Sequence, residues 1–241
     1  MLTKLYPAKL ENDALQPAQT SMSDADSFLD KTAHINEQQS GRLILALDAT
    51  LQSECIWDLV RQNQTTLFMS GGQKTGLLVQ LAYFRGASEC RFSKWISNPQ
   101  AMHHALGQIE CEGNTTQLSR LLGHAATEHG KKRVSAFVYI GDRIEEDADT
   151  LIGQSMELGK QGFRAIMLQD GIDTEAQKIF KAIADATNGA YFQFDKRFPK
   201  TLEEVLPAAA IFATGGLRGL SVKTDETAKK LLSILKTRST N

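Results

Sequence analysis

The chain has 241 residues, with 41% hydrophobic and 23% charged residues and a net charge of -1. That composition is ordinary for a soluble globular protein and long enough for one large domain. The near-zero charge gives no electrostatic reason to expect nucleic acid or an anionic membrane as partner. Three cysteines, Cys55, Cys90 and Cys111, are an odd count without CxxC spacing, which argues against a disulfide framework and a structural zinc site. The opening MLTKLYPAKLENDA lacks the apolar centre of a signal peptide, and no apolar run approaches the roughly 18 residues of a membrane span. The expected address is the cytoplasm.

Residues 1–40 carry three lysines against six acidic residues, with only Tyr6 and Phe28 as aromatics, and are expected to form an N-terminal arm with little to bury. The pattern changes at Gly41. The run from Arg42 to Leu47 is apolar and stops at Asp48, as a strand buried on both faces does. A helical stretch follows, with Ile56, Val60 and Leu67 near helical spacing. Leu77 to Phe84 is a second apolar strand, turned at Arg85-Gly86 into the charged, alternating segment 90–96, which suits an edge strand.

Helices are predicted over 98–109 and 116–129, then a buried strand over 134–140 and a helix from Glu145 to about 160. Strands at 164–169 and 190–194 flank a helix over 173–187, and a further helix covers 201–213. In the closing segment 225–236, Ala228, Leu231, Leu232 and Leu235 share one helical face. The predicted fold is α/β: a doubly wound, Rossmann-like, mainly parallel six-stranded sheet with one antiparallel edge strand and helices on both faces. Residues 41–213 form the domain, and 214–241 are read as a linker and a C-terminal amphipathic helix.

In such a sheet the first and fourth strands lie side by side, and ligands bind outside the carboxyl ends of the strands at that switch point. The first strand ends in Asp48-Ala49-Thr50 and the fourth in Gly141-Asp142, so both carboxylates face one crevice. The polar cluster Gly113-Asn114-Thr115-Thr116 reaches the same rim. Carboxylates and hydroxyls make an all-oxygen environment suited to Mg²⁺, Mn²⁺ or Ca²⁺. The competing account makes Asp48, Thr116 and Asp142 helix N-caps, with Asp142 to Glu145 resembling a capping box.

From about Gly41 to Ala213 the chain resembles a von Willebrand factor type A domain. The wording RLILALDAT, YFRG, CRFSKW and VYIGDRIEE looks like that of small stand-alone bacterial members. The family's metal-ion-dependent adhesion site has a D-x-S/T-x-S motif, a Thr in a later loop and an Asp after the fourth strand. The resemblance assigns Asp48 and Thr50 to the motif, Thr116 to the loop Thr by its place before Gln117-Leu118, and Asp142 to the last position. Gln52 stands where the family has its second Ser, and its amide oxygen can still bind a hard cation.

The resemblance implies a non-enzymatic module, acting in a multi-protein complex, that takes a carboxylate from a protein ligand through a divalent cation, Mg²⁺ before Mn²⁺ or Ca²⁺. A phosphatase-like metal-dependent hydrolase using the same crevice is the alternative enzyme reading, with Asp48 as nucleophile; Thr50 stands where its acid/base Asp would be. A metal-free scaffold is the third reading.

The segment Ser70 to Gly76 has Gln73 where a phosphate-binding loop needs Gly, and runs from helix into strand, the reverse of the required order. His103, His104, His124 and His129 have no ligand or triad spacing and read as packing or surface residues, and the cysteines as structural thiols.

Overall fold

A computed structural model describes residues 40–49, 54–71, 76–113 and 115–239. Its six strands are β1 (Gly41–Asp48), β2 (Leu77–Arg85), β3 (Glu89–Ile96), β4 (Ala136–Gly141), β5 (Ala165–Asp170) and β6 (Ala190–Phe194). The helices are α1 (Glu54–Ser70), α2 (Pro99–Gly107), α3 (Leu118–Lys131), α4 (Ala148–Lys160), α5 (Thr174–Ala186), α6 (Lys200–Ser221) and α7 (Glu226–Ser239). The sheet order is β3-β2-β1-β4-β5-β6. Only β3 runs antiparallel, beside β2; the other pairs are parallel.

All eight residues of β1 are buried, which is why its sequence is apolar without alternation. Its odd and even positions feed two different cores. Leu43, Leu45 and Leu47 pack with Val138 and Ile140 under α1, α2, α6 and α7. Ile44 and Ala46 pack with Phe137, Tyr139 and Met167 under α3, α4 and α5. The helices answer with apolar stripes at 3- and 4-residue spacing, such as Leu118, Leu121, Leu122 and Ala125 on α3. The edge strand β3 is mostly half-buried and carries Arg91 and Lys94, which blunts an otherwise open ladder. Gly86 makes the turn into β3 at φ +54°, where a side chain would be strained.

Two predicted helix starts are corrected. The helix expected from 116 begins at Leu118, and the one expected from Glu145 begins at Ala148, with Asp147 as its N-cap accepting from Thr150 N at 2.8 Å. The helix expected to end at 213 continues to Ser221 through a kink at Gly216 (φ 58°, ψ -154°), and the boundary drawn at 213 falls within it. After the kink α7 folds back, and its Ala228, Leu231 and Leu235 join the same core as Leu220. The N-terminal arm, apart from Ser40, lies outside the described residues, as do residues 72–75 of the loop before β2.

No single described helix is long and apolar enough to cross a membrane. α6 and α7 pass such a test only as a pair bent by 91°, and their apolar residues are core residues against the sheet.

At the N-terminal end of the sheet, buried Arg42 pairs with Glu128 at 2.6 Å. Trp95 Nε1 donates to the same carboxylate at 2.9 Å, and the Arg42 guanidinium lies 3.9 Å over the Trp95 ring. Burial pushes the Glu128 pKa up, but the hydrogen bonds from Lys131 and Trp95 more than offset it. Next to this network His124 stacks on Phe92 with centroids 3.5 Å apart, and its Nε2 donates to Gln80 Oε1 at 2.9 Å. Burial lowers the His124 pKa to about 4, with Glu128 opposing the shift.

A folded-state pKa below the unfolded value of about 6.5 means that the unfolded chain binds the proton first. His124 therefore contributes stability that is present above pH 6.5 and is lost as the pH falls towards 4. Urea midpoints measured across that window should fall, and His124→Gln should flatten the fall. A second expectation concerns Gly189, where an added Cβ would stand 1.8 Å from Ala165 O, against Gly153, where nothing lies within 4 Å. Gly189→Ala should destabilise by about 2 kcal/mol or more through overpacking against backbone. Gly153→Ala, in the exposed interior of α4, should stabilise by about 0.5 kcal/mol.

Candidate functional site

The site follows from how β1 and β4 end. Leu47 pairs with Ile140, so Asp48 comes next to Gly141, and the chain then leaves the sheet through Asp142. Asp48 continues the even face of β1, the face that carries Tyr139 on β4. It is buried to 2% exposure, and its carbonyl accepts a hydrogen bond from Trp57 Nε1 at 3.1 Å. The backbone beyond it is fixed from the other side: Ala49 N donates to Phe84 O at 3.0 Å, and Glu112 N donates to Ala49 O at 2.9 Å. The segment around Glu112 is thereby held along the rim that leads to Thr116.

Thr116 is 4% exposed and its hydroxyl accepts from Glu145 N at 2.9 Å, while Thr116 N donates to Glu145 Oε2 at 3.3 Å. The next residue, Glu146, reaches across to the first turn of α3. Its carboxylate accepts from Leu118 N and, at 2.8 Å, from Ser119 N. Gln117, at the N-cap of α3, makes no side-chain cap, so a carboxylate from a distant loop fills that role and meets the positive end of the helix. Asp142 stays partly open, its side chain 23% exposed and 3.8 Å from Arg143 Nε.

These contacts remove the capping account for two of the predicted residues. Thr116 precedes the N-cap of α3, and α4 is capped by Asp147, so neither Thr116 nor Asp142 is an N-cap and Asp142 to Glu145 is no capping box. Asp48 is the last residue of β1, six positions before α1. Asp48, Thr116 and Asp142 come to one end of the sheet, as predicted from the switch point. Thr50 and Gln52 lie outside the described residues.

Below them is a residue the sequence reading passed over. Tyr139 is wholly buried, its ring packed 5.5 Å from Phe180, and its hydroxyl has no hydrogen-bond partner. A Cβ on Gly141 would stand 2.7 Å from that hydroxyl, so it lies directly over the strand end between the two aspartates. Burial raises the Tyr139 pKa well above 10, and the negative charges of Asp48, Glu146 and Asp142 raise it further. A neutral O–H donor is thus held among three carboxylates. The signal was a lone phenol in the apolar run AFVYIG, since a buried Tyr hydroxyl ordinarily finds a partner. Glu145 and Glu146 were read as the start of a helix, and their hold on the Thr116 loop is visible only in three dimensions.

The donors at this crevice are all oxygen, from two carboxylates and one hydroxyl that keeps a lone pair after accepting from Glu145. That chemistry fits a hard cation, and an unpartnered O–H beside it fits a bound oxygen ligand. Among the described residues no group of three or more His, Cys, Asp or Glu could hold a metal by itself, so hydroxyl or amide donors would be needed. The histidines lie elsewhere: His124 is packed against Phe92, and His103 accepts from Gln64 at 2.8 Å. Cys90 is buried with its pKa pushed up to about 12 by that burial, which leaves it an unreactive thiol.

Two substitutions separate structural from ligand-directed groups. Glu146→Ala removes the cap on α3 and should cost about 1–2 kcal/mol in chemical denaturation. Tyr139→Phe deletes only an unsatisfied hydroxyl, so in the presence of EDTA it should leave stability unchanged or raise it by up to about 1 kcal/mol.

No family model matches the sequence, and no curated protein does. Solved structures do match in fold. An aerotolerance-related membrane protein from Bacteroides fragilis, with multiple mutations to serine, is 16% identical with a TM-score of 0.53, over 70% of this chain and 98% of that one. The VWA domain of SpRpn10 is 14% identical with a TM-score of 0.54, over 69% of this chain and 93% of that one. Proximal thread matrix protein 1 from the mussel byssus is 13% identical with a TM-score of 0.55, over 71% of this chain and 46% of that one. With its sheet order and the extent of these superpositions, the chain has the fold of a von Willebrand factor type A domain.

Proposed function

We propose that this chain is a non-enzymatic protein-binding module whose ligand, a carboxylate on a protein partner, docks through a divalent cation in the crevice between β1 and β4. The observation that supports the proposal is the convergence of Asp48 and Asp142 on a buried, unpartnered Tyr139 hydroxyl at the strand ends, with Thr116 tied to Glu145 in the segment that follows Asp142. Asp48, Thr116 and Asp142 would hold the ion, joined by Thr50 and Gln52 from outside the described residues. Mg²⁺ is the first choice, with Mn²⁺ and Ca²⁺ as substitutes. The cation, when bound, supplies a positive centre that neutralises the clustered carboxylates and can take one more oxygen. The Tyr139 hydroxyl, which has no acceptor of its own, would donate to an oxygen of the bound ligand, and Glu145 keeps the Thr116 loop in place. The proposed setting is a cytoplasmic multi-protein complex.

Gln52 is the departure that bears most on affinity. Its amide oxygen stands two carbons further from the backbone than a serine hydroxyl, so the ion sits against a longer arm. Gln52→Ser should therefore tighten metal binding.

Titration calorimetry should show Mg²⁺ or Mn²⁺ binding that Asp48→Ala abolishes and Asp142→Asn weakens by about tenfold or more. No heat up to about millimolar metal would overturn the metal-dependent reading. A phosphatase and esterase screen addresses the enzyme alternative: turnover lost in Asp48→Asn would replace the binding module with a hydrolase.

A further inference from the structure

A second pocket lies at the other end of the sheet, with a volume of about 330 Å³. Arg133 and Arg164 line it from the segments before β4 and β5, and Phe212, Leu217 and Leu235 line it from α6 and α7. The six residues of β4 put it about 20 Å from the Asp48 crevice. α6 kinks at Gly216, which lines the pocket at φ +58°, and the kink carries Leu217 off the line of the preceding helix.

The chain enters the sheet beside this pocket. Ser40 is buried, and a Cβ on Gly41 would stand 2.4 Å from Ala213 O, so the first residue of β1 packs on a residue that lines the pocket. The next residue, Arg42, accepts at its carbonyl from Ser135 N at 2.8 Å, and Ser135 lines the pocket as well. Residues 1–39 are therefore tethered at the pocket's rim.

What the tether carries matches what the pocket offers. The lining holds two arginines and three large apolar side chains, and no Asp or Glu among the described residues. Arg133 is exposed, so a carboxylate can reach it from solvent. Residues 10–30 hold five carboxylates, Glu11, Asp13, Asp24, Asp26 and Asp30, and no lysine or arginine. Within that run Phe28-Leu29 stands between Asp26 and Asp30, an apolar pair with acidic flanks. The other aromatic of the first 39 residues, Tyr6, lies between Lys4 and Lys9, whose charge repels an arginine. Phe28 lies 12 residues before Ser40. A tether of that length spans about 20 Å on root-mean-square average. It holds its end at about millimolar effective concentration, so a contact too weak to retain a free peptide suffices.

We infer that residues 24–30 of the same chain occupy this pocket, with Phe28 and Leu29 against Phe212, Leu217 and Leu235 and the flanking aspartates beside Arg133. The N-terminal arm thus docks in cis where α6, α7 and the starts of β4 and β5 meet. The inference is independent of the metal reading, because no residue is shared between the two sites.

Leucine methyl resonances of the full chain test it. Phe28→Ala should shift the Leu217 and Leu235 methyls and leave Leu121, in the other core, where it is. Arg133→Glu should shift the pocket methyls too, and adding Phe28→Ala to it should change them little further, because the arm has already left. The resonances should not depend on protein concentration, since the arm is bound to its own chain. Methyls unmoved by Phe28→Ala would overturn the inference, and so would shifts of equal size at Leu121. Shifts of the two variants that simply add would overturn the role given to Arg133. Dependence on protein concentration would give the pocket to the arm of a second copy and overturn docking in cis.

Discussion

The parallel pairing of β1 with β4 is the constraint on which the rest depends. Two strands that are distant in sequence become neighbours only because the chain winds outwards from β1 in both directions, and their register then sets Asp48 beside Gly141. A slip of one residue would turn every side chain of β1 to the opposite core. The two cores prevent it, since Leu43, Leu45 and Leu47 fit one layer and Ile44 and Ala46 the other. Hydrophobic packing on both faces thus fixes where a carboxylate leaves the sheet.

That geometry concentrates like charge. Asp48 is nearly buried, and Asp142, Glu145 and Glu146 arrive within seven residues of Tyr139 in the chain. A part of the charge has a structural use: Glu146 sits at the positive end of α3 and Glu145 is tied to Thr116. Asp48 and Asp142 have no such helix terminus, and the Tyr139 hydroxyl among them has no acceptor. Carboxylates held close together repel one another, and a cation offsets that repulsion, while an oxygen carried on the cation would give the orphan O–H an acceptor.

The strands were the most legible part of the sequence. β1, β2, β4 and β5 are buried on both faces, so their apolar runs needed no periodicity to be read, and the turn at Arg85-Gly86 announced the antiparallel edge. Helix starts were less legible. Thr116 and Glu145 have the chemistry of helix N-termini, yet they bond to each other, which pushes both helices two or three residues downstream. The end of α6 was misplaced because the chain kinks at Gly216 and then resumes its helix to Ser221. At the site, topology alone brought Asp48 and Asp142 together and drew Thr116 to the same rim. Tyr139, Glu145 and Glu146 escaped because their roles come from what the fold brings near them, and no local pattern encodes that.

The central claim is that the crevice between β1 and β4 takes a divalent cation. Paramagnetic Mn²⁺ tests it site by site, because it broadens the amide resonances nearest to where it binds. Sub-stoichiometric Mn²⁺ should broaden Ala49, Thr116, Gly141 and Asp142 first, leave Ser135 and Arg164 sharp at the far end of the sheet, and lose this selectivity in Asp48→Ala. Uniform broadening, or broadening unchanged by Asp48→Ala, would contradict the account.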